Sequence, residues 1–446
     1  MSSLYSILVF FIAVLYSAAT ETEKTFTLRH VHAAHSESGR IRWADVPQLA
    51  TASGKYYGPS SSYVLHAKRI KLRKPFSQAA FHAVRENSRQ QRSQLIFGSR
   101  HNHGQSLGWQ EDDVQGPAID KRETLLTLAK MTNNAYFHKN ERGWYDLGGN
   151  WTSDHNIGWD PEVDGFRGHV FLSADNSTVV LSIKGTSAGV FGGTRTIEKD
   201  RLNDNLLFSC CCAKVDWTWG GVCGCYSGGN RCDQSCLEES LADESLFYHV
   251  GINLYNNLTF MYPDAQIWIT GHSLGGALAS LIGLTFGAPV VAFEAVPERL
   301  AAQRLHLPMP PSTQHITHVY NNADPIAMGT CNGVSSVCYA GGYALETKCR
   351  IGQTILYDTV GALHWSVNLQ AHFITTITEH LLNEDWSVKA RKGRRPWWRL
   401  PGLPGFPGYP DDHDERIEVP EPSEDGQCED CGNWEFGEYL AKPVGA

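Results

Sequence analysis

The sequence has 446 residues, of which 42% are hydrophobic and 19% are charged. This composition excludes a disordered or collagen-like chain and provides enough apolar side chains for a core of ordinary size. The net charge of −9 argues against nucleic acid as a partner.

The chain begins with an apolar segment, Leu4 to Ala19, that carries no charge. Its length lies between that of a signal peptide's apolar region and that of a membrane span. Bulky side chains such as Phe10 and Tyr16 close to a possible cleavage site favour an uncleaved anchor, with a cleaved signal peptide as the alternative. We therefore expect residues 1–20 to be a signal-anchor that places the rest of the chain in the lumen of the secretory pathway.

Residues 21–115 are polar and rich in histidine, with few long periodic segments, and we interpret them as a lumenal stem and peripheral region. The main domain is expected over residues 116–388, where apolar periodicity becomes regular. There, residues 124–131 have helical spacing. Two apolar runs, 169–172 and 179–183, flank a polar turn and predict a pair of strands.

Seven of the twelve cysteines lie within residues 210–236. A zinc module is the competing interpretation, but the cluster contains no histidine and no clean pair of CxxC knuckles. The apolar N-terminus and three Asn-x-Ser/Thr sequons favour an oxidising compartment, so we expect disulfides of unspecified pairing and no metal or cofactor. The sequons are at Asn150, Asn176 and Asn257.

Helix-like and strand-like segments then alternate along the chain, which predicts an α/β fold with a mostly parallel central sheet covered on both faces. The helical segments are 238–258, 275–286 and 369–382, and the strand-like segments are 265–270 and 315–320.

The sharpest motif is the GxSxG pentapeptide Gly271–Gly275, which directly follows an apolar strand and opens a helix rich in small residues. A strand, a sharp turn and a helix form the nucleophile elbow of hydrolases. The glycines permit the tight turn, and the hydroxyl of Ser273 would lie at a helix N-terminus, where developing negative charge is favoured. We predict that Ser273 is a nucleophile and that the amide of Leu274 is one donor to the oxyanion.

A serine nucleophile needs an acid and a base, and in this type of fold both follow the serine in the chain. Asp324 stands just after the strand-like segment 315–320 and before a proline, where an acid would leave the end of the sheet. It is preferred to Asp358, which lies in a less defined stretch, and to Glu294, which is too close to the elbow helix. A turn-capping aspartate is the structural alternative for Asp324.

Four histidines qualify as the base by chain order: His364, His372, His380 and His413. His372 is preferred because it lies at the entry of the last helical segment, where a loop can direct it towards the elbow. His364 is the second choice, His380 falls within that helix and His413 lies in an acidic tail. The second oxyanion donor is expected to be the amide of Thr186, in the turn after the strand 179–183.

Beyond residue 388 the order decreases, and residues 389–446 are predicted to be a disordered tail. Its first part, Lys389 to Arg399, is basic and carries two tryptophans. A solvated face is the simpler interpretation of this patch, and contact with anionic lipid is the alternative.

Three motifs together resemble the class 3 lipases: Lys184–Thr186, Gly271–Gly276 and Asn322–Pro325. The segment Phe26–His32, the cysteine-rich segment and the apolar N-terminus further resemble the fungal vacuolar lipases that break down autophagic bodies. The resemblance extends over about residues 26–385.

This resemblance implies an α/β-hydrolase-like lipase fold with Ser273, Asp324 and His372 at the triad positions. It implies a glycosylated, single-pass type II membrane protein of Golgi and endosomal or multivesicular-body membranes, which is delivered to the vacuole lumen. Its substrates there would be phospholipids and triacylglycerols of intravacuolar vesicles, and no nucleic acid partner is expected.

Two other functions remain open at the level of sequence. The same fold and triad would serve a secreted esterase that acts on soluble or polysaccharide-linked acyl esters. Hydrolase folds are also reused without chemistry, so a catalytically silent binding module is the alternative from a different class.

Overall fold

The computed structural model describes residues 22–34, 41–45, 64–95, 107–137, 141–146, 165–186, 195–214, 218–242, 246–393, 416–424 and 426–439. The strands found there are β1 (Thr22–Ala34), β2 (Ile41–Asp45), β3 (Val64–Pro75), β4 (Trp109–Pro117), β5 (Arg167–Ser173), β6 (Thr178–Ile183), β7 (Arg231–Asp233), β8 (Gln266–His272), β9 (Val290–Phe293), β10 (Ile316–Asn321), β11 (Gln353–Tyr357) and β12 (Glu435–Gly437).

The α-helices are α1 (Gln78–Leu95), α2 (Arg122–Asn134), α3 (Arg195–Phe208), α4 (Gln234–Ser240), α5 (Phe247–Met261), α6 (Leu274–Phe286), α7 (Arg299–Arg304), α8 (Val337–Ala340), α9 (Thr359–Leu363), α10 (Ile374–Thr376) and α11 (Trp386–Gly393). A 3-10 turn (Leu369–His372) precedes α10, and a π-helical turn (Ile377–Leu381) follows it.

Ten strands form one sheet in the order β11-β10-β9-β8-β6-β5-β1-β3-β4, with β2 paired to β1. The half from β6 to β11 is parallel, whereas the half from β6 to β4 is antiparallel. The α/β class is therefore confirmed, but the mostly parallel sheet is corrected to a mixed one. A short turn such as the one between β5 and β6 can join only antiparallel neighbours.

The apolar side chains of the central strands alternate between two hydrophobic clusters, one on each face of the sheet. In β6, Leu181 and Ile183 belong to the cluster that contains residues of α5 and α6, whereas Val180 belongs to the cluster that contains residues of α2. In β8, Ile269 and Trp268 divide in the same way. Because helices cover both faces, these strands are buried along almost their whole length, and the sheet is fixed beneath the elbow.

Four strands of the main sheet, β1 to β4, come from the region that the sequence predicted to be a stem and peripheral structure. Strand β1 pairs with β5 along Phe26–Ala33, and β3 and β4 continue the sheet beyond it. The sequence did not predict these strands, because β3 and β4 carry many charged side chains. These side chains pair across the strands, as Arg73 and Glu111 do at 2.5 Å. The two charged strands therefore extend the sheet without an apolar pattern that sequence analysis could detect.

Two predicted helices are interrupted. The segment expected as one helix over 238–258 contributes to both α4 and α5. The segment 369–382 is divided at Phe373, whose extended backbone (φ −69°, ψ 134°) separates the 3-10 turn from α10. His372 therefore lies at the end of the turn rather than inside a regular helix.

Disulfides join ten of the twelve cysteines, which confirms the expectation for the cysteine-rich segment. The pairs are Cys210–Cys431, Cys211–Cys232, Cys225–Cys236, Cys331–Cys338 and Cys349–Cys428. Cys212 and Cys223 are free thiols. Two of the bonds, Cys210–Cys431 and Cys349–Cys428, connect the predicted tail to the main domain.

The predicted disordered tail is corrected for residues 416–424 and 426–439. Cys428 and Cys431 bond this segment to the main domain, and β12 pairs in parallel with β7. The many prolines, glycines and acidic residues suggested disorder. The disulfides, however, hold this segment against the main domain, and composition alone does not reveal such a constraint. Most of the basic aromatic patch, including both tryptophans, lies outside the described residues.

The predicted anchor, residues 1–20, also lies outside the described residues. Within the part of the chain that the structure describes, no helix has the length and apolar character needed to span a membrane. Of the predicted glycosylation sites, Asn176 is exposed in the turn between β5 and β6, and Asn257 is exposed on α5. Asn150 is outside the described residues.

Candidate active site

The GxSxG motif forms a sharp turn between β8 and α6. Ser273 has a positive φ of 56° (ψ −126°), a strained conformation for a residue with a side chain. The neighbouring glycines are required by close packing: a Cβ on Gly271 would lie 2.2 Å from the carbonyl oxygen of Gly275, and one on Gly275 would lie 2.4 Å from that of Ile183. This geometry is typical of a nucleophile elbow.

The structure brings Ser273, His372 and Asp324 into one hydrogen-bonded chain. His372 Nε2 is 2.9 Å from Ser273 Oγ, and His372 Nδ1 is 2.7 Å from Asp324 Oδ2. Because a carboxylate only accepts, Nδ1 carries a proton and donates to Asp324. In the neutral ring, Nε2 then accepts from the hydroxyl of Ser273, which is the arrangement that proton removal from serine requires.

Asp324 is held in a turn immediately after β10. Its Oδ1 accepts a hydrogen bond of 2.8 Å from the amide of Ile326, and the side chain is fully buried. Burial alone would raise the pKa of Asp324, but the opposing effects of the His372 charge and its hydrogen bond lower it below the usual range. The carboxylate therefore stays ionised beside the imidazole.

Asn321, the last residue of β10, connects the acid's turn to the base's turn. Its side-chain amide donates to the carbonyl oxygen of Ala371 at 3.0 Å, and its Oδ1 accepts from the amide of Ala323 at 3.0 Å. One buried side chain thus fixes the segments on both sides of the Asp324–His372 contact.

The loop after β6, where the second oxyanion donor was predicted, is held by acids of α3. The Thr186 hydroxyl donates to Asp204 Oδ2 at 2.6 Å, and Lys184 Nζ lies 3.1 Å from Asp200 Oδ2 and donates to the carbonyl oxygen of Gly185 at 2.6 Å. Burial raises the pKa of Asp204 to about 8. The helix α6 begins at Leu274, whose amide is one of the unpaired N-terminal donors of a helix. The oxyanion roles of Leu274 and Thr186 stay predictions.

The other candidates for acid and base lie outside this chain of hydrogen bonds. Asp358 caps α9, where it accepts from the amide of Gly361 at 2.9 Å, and it is exposed. His364 and His380 are also exposed. His413 is outside the described residues.

Sequence reasoning missed several residues that adjoin the triad. His272 contacts the carbonyl oxygen of His372, and Tyr136 contacts His272. Glu294, which the sequence ranked behind Asp324 as an acid, contacts Asp324 itself. A glutamate directly after the apolar strand 290–293 was the signal that could have indicated Glu294, because a charged side chain at the end of a buried strand needs a partner.

Three aromatic residues, Phe208, Trp217 and Trp219, follow β6 in the chain, and the structure describes two of them. Phe208 is buried in the core, and Trp219 stacks on Tyr339 with ring centroids 4.6 Å apart. Trp217 is outside the described residues. A packing role therefore accounts for Phe208 and Trp219.

Two clusters bring three possible metal ligands close together, but a cysteine in a disulfide has no thiolate to offer. The clusters are Cys212 with Cys223 and Cys225, and Cys349 with Cys428 and Asp430. Each contains at least one disulfide-bonded cysteine, so neither has the thiolate set of a zinc site.

The family model "Lipase (class 3)" matches residues 249–288, which include the elbow. The curated protein named "Putative lipase ATG15" of Cryptococcus neoformans var. neoformans serotype D (strain B-3501A) is 47% identical over 366 residues, which is 74% of this chain and 70% of that protein. The protein of the same name from Mycosarcoma maydis is 49% identical over 361 residues, covering 74% of this chain and 69% of that one.

Among solved structures, the nonglycosylated LIP2 lipase of Yarrowia lipolytica is 17% identical, with a TM-score of 0.28, over 52% of this chain and 77% of that chain. The extensive identity to the curated relatives, together with the elbow and the mixed sheet, defines a lipase-like α/β-hydrolase fold. The chain therefore belongs to the class 3 lipases, in the family of the proteins named putative lipase ATG15.

Proposed function

We propose that the protein is a serine-dependent carboxylic ester hydrolase whose substrates are phospholipids and triacylglycerols. The observation that supports this most strongly is the hydrogen-bonded chain from Ser273 Oγ through the His372 ring to Asp324. A serine hydroxyl becomes a good nucleophile only when a neighbouring base takes its proton and an acid orients that base. These three side chains supply the required groups.

In the proposed acylation step, Ser273 Oγ attacks the carbonyl carbon of the ester while His372 Nε2 takes the hydroxyl proton. The imidazolium that forms is stabilised by the ionised carboxylate of Asp324. Backbone amides of Leu274 and Thr186 would stabilise the negative charge on the carbonyl oxygen. The intermediate then breaks its bond to the alcohol, which leaves with the proton held on Nε2.

In the proposed deacylation step, a water molecule takes the place of the alcohol. His372 Nε2 removes a proton from this water, and its oxygen attacks the acyl carbon bound to Ser273. The fatty acid leaves when Oγ regains the proton from His372. The three side chains end in the state in which they began, so no cofactor is needed for the reaction.

Membership of a lipase family supports a lipid ester as the substrate. Five disulfides and the exposed sequon residues Asn176 and Asn257 support a lumenal environment, because disulfides persist in oxidising compartments. We propose that residues 1–20 anchor the chain in Golgi and endosomal or multivesicular-body membranes. In the vacuole lumen the enzyme would then degrade autophagic and multivesicular-body vesicles.

Hydrolysis by the purified lumenal part of the chain tests the activity. Phosphatidylcholine vesicles and triacylglycerol emulsions are compared with a short soluble ester, using the wild type and Ser273→Ala. We expect release of fatty acid from both lipids and a loss of about three to six orders of magnitude in rate for Ser273→Ala. Activity on the soluble ester alone would support the secreted esterase instead, and full activity of Ser273→Ala would reject a serine mechanism.

The proposed compartment has a separate test. The full chain carrying a C-terminal tag is expressed in yeast, and its glycosylation and membrane association are followed. We expect endoglycosidase to increase mobility, the Asn176→Gln and Asn257→Gln variants to lose one glycan each, and the protein to resist carbonate extraction. An unglycosylated, fully extractable protein would contradict the anchored, lumenal location.

A further inference from the structure

Glu294 is a buried acid beside the proposed triad, and it takes no part in the mechanism above. It directly follows β9, and its side chain is fully buried. Its backbone has a positive φ of 43°, an uncommon conformation for a residue with a side chain. Such conformations are often found at functional sites, where the surrounding structure holds them in place.

The two carboxyl oxygens of Glu294 differ in their hydrogen bonding. Oε1 accepts from the backbone amide of Asn321 at 3.1 Å and from the Asn321 side-chain amide at 2.8 Å. Oε2 is buried and receives no hydrogen bond from any donor within the described residues. Since a buried carboxylate oxygen without a donor is costly, Oε2 needs a different interaction.

The group available to Oε2 is the carboxyl group of Asp324, because the Glu294 and Asp324 side chains lie within hydrogen-bonding reach of each other. Both oxygens of Asp324 already accept, Oδ1 from the Ile326 amide and Oδ2 from His372 Nδ1. Two carboxylates have no proton to share, so one of the two groups must be protonated.

The surroundings of each carboxyl group decide which one holds the proton. Burial raises the pKa of Glu294 well above its usual range, and the negative charge of Asp324 raises it further. For Asp324, burial is outweighed by His372, which lowers the pKa. His272, at the end of β8, is a further titratable group beside Asp324 and His372, and burial lowers its pKa to about 3. The contact with His372 therefore favours an ionised Asp324.

We propose that Glu294 is a neutral carboxylic acid that donates its Oε2 proton to Asp324 and so acts as a positioning residue for the Asp324–His372 pair. This inference rests on the proposed function. The hydrogen-bonded chain then has four members, Ser273, His372, Asp324 and Glu294. A hydrogen bond from a neutral acid stabilises the ionised form of its acceptor, so Glu294 keeps the Asp324 carboxylate charged and oriented in acidic surroundings.

The test compares Glu294→Gln, Glu294→Ala and the control Glu298→Gln. A glutamine amide is neutral and keeps both a donor for Asp324 and an acceptor for Asn321, whereas alanine keeps neither. Glu298 is an equally buried glutamate, but it contacts His318 at 3.1 Å instead of the triad. It therefore controls for the loss of a buried acid as such.

The direct readout is the infrared carbonyl band of a protonated carboxylic acid in the resting, substrate-free enzyme. We expect a buried acid band in the wild type and in Glu298→Gln, and a smaller band in Glu294→Gln, because Asp204, whose pKa is about 8, also contributes to it. Retention of the whole band in Glu294→Gln would overturn the proposal. Because this readout does not depend on hydrolysis, it stands even if Ser273 proves not to be the nucleophile.

The kinetic readout separates positioning from folding. We expect Glu294→Gln to keep kcat within about threefold of the wild type, and Glu294→Ala to lower kcat by about tenfold to a hundredfold with little change in KM. The acid limb of the pH profile should move to higher pH in Glu294→Ala. Equal loss of kcat in the two variants would overturn the positioning role, and if the alanine variant fails to fold, a loss of more than tenfold in Glu294→Gln would do so.

Discussion

His272, the residue that precedes the proposed nucleophile, holds the backbone of His372 in place. Its Nε2 donates a hydrogen bond of 2.7 Å to the carbonyl oxygen of His372, and its Nδ1 lies 2.7 Å from the Tyr136 hydroxyl. Burial lowers the pKa of His272 to about 3, so the ring is neutral and Nδ1 accepts from the tyrosine. The neutral His272 ring, with its proton on Nε2, thus connects the elbow to the segment that carries the proposed base.

The Tyr136→Phe variant tests this connection. Without the hydroxyl, the buried Nδ1 of His272 loses its donor, and we expect stability to fall by about 1–3 kcal/mol and kcat to fall by up to about tenfold. The control is Tyr248→Phe, which removes a buried hydroxyl that contacts Thr285 of α6 at 2.9 Å. Chemical denaturation and kcat are measured for both variants. A lower kcat in Tyr248→Phe only would contradict the assigned role of Tyr136.

The Asp324→Asn variant tests the choice of acid. Asparagine keeps the shape of the side chain but removes the charge that holds the His372 proton on Nδ1, so we expect kcat to fall by about 10³–10⁴. Asp358→Asn is the matched control, because Asp358 was another sequence candidate, and it caps α9 and accepts from the Asn322 side-chain amide. It should lose at most about 1 kcal/mol of stability, with kcat unchanged. The reverse order of effects on kcat would reject Asp324 as the acid.

The C-terminal segment provides a prediction about stability. Removal of the Cys349–Cys428 bond, which spans 79 residues, should cost about 4.5 kcal/mol by chain entropy, against about 2.4 kcal/mol for the Cys331–Cys338 bond, which spans 7. We expect the double Cys→Ser variant of the longer loop to unfold at clearly lower denaturant concentration. Equal midpoints for the two double variants would contradict the larger contribution expected from the attachment of the tail.

The buried histidines predict a loss of stability in acid. Burial lowers the pKa of both His32 and His272 to about 3, below the value near 6.5 of an unfolded chain. Between those values the unfolded chain binds more protons, so stability is fully present above pH 6.5 and decreases as the pH falls towards 3. The slope is at most about 1.4 kcal/mol per pH unit for each histidine.

The His32→Phe variant measures one part of that slope. Its melting temperature should fall less steeply between pH 7 and pH 4 than that of the wild type, whatever its stability at neutral pH. The exposed His380 serves as the control, and His380→Phe should follow the wild-type slope. Identical slopes for His32→Phe and the wild type would contradict the neutral state assigned to His32.

The sequence allowed the elbow and its partners to be predicted because these residues carry strong local signals. Ser273 lies between an apolar strand and a helix of small residues, and Asp324 lies between a strand and a proline. Chain order reduced the possible bases to four, and the structure brings His372 to Ser273. Each of these inferences used residues that are adjacent in the chain.

The features that the sequence did not reveal depend on contacts between distant segments. Strands β3 and β4 are charged, and their place in the sheet follows from pairing rather than from hydrophobic periodicity. The order of residues 426–439 follows from disulfides to Cys210 and Cys349. Glu294 and Tyr136 matter because of contacts with Asp324 and His272, which lie on other segments of the chain. No single segment of the sequence shows these contacts.

Covalent labelling by a fluorophosphonate probe tests the central claim most directly, because the probe reacts with a serine only when a base has activated it. The intact protein is labelled at neutral pH, digested and examined by mass spectrometry, with Ser273→Ala and His372→Ala alongside. We predict a single modified peptide that carries the probe on Ser273, and no labelling in either variant. Labelling of a different serine, or equal labelling of Ser273 in the His372→Ala variant, would contradict the account.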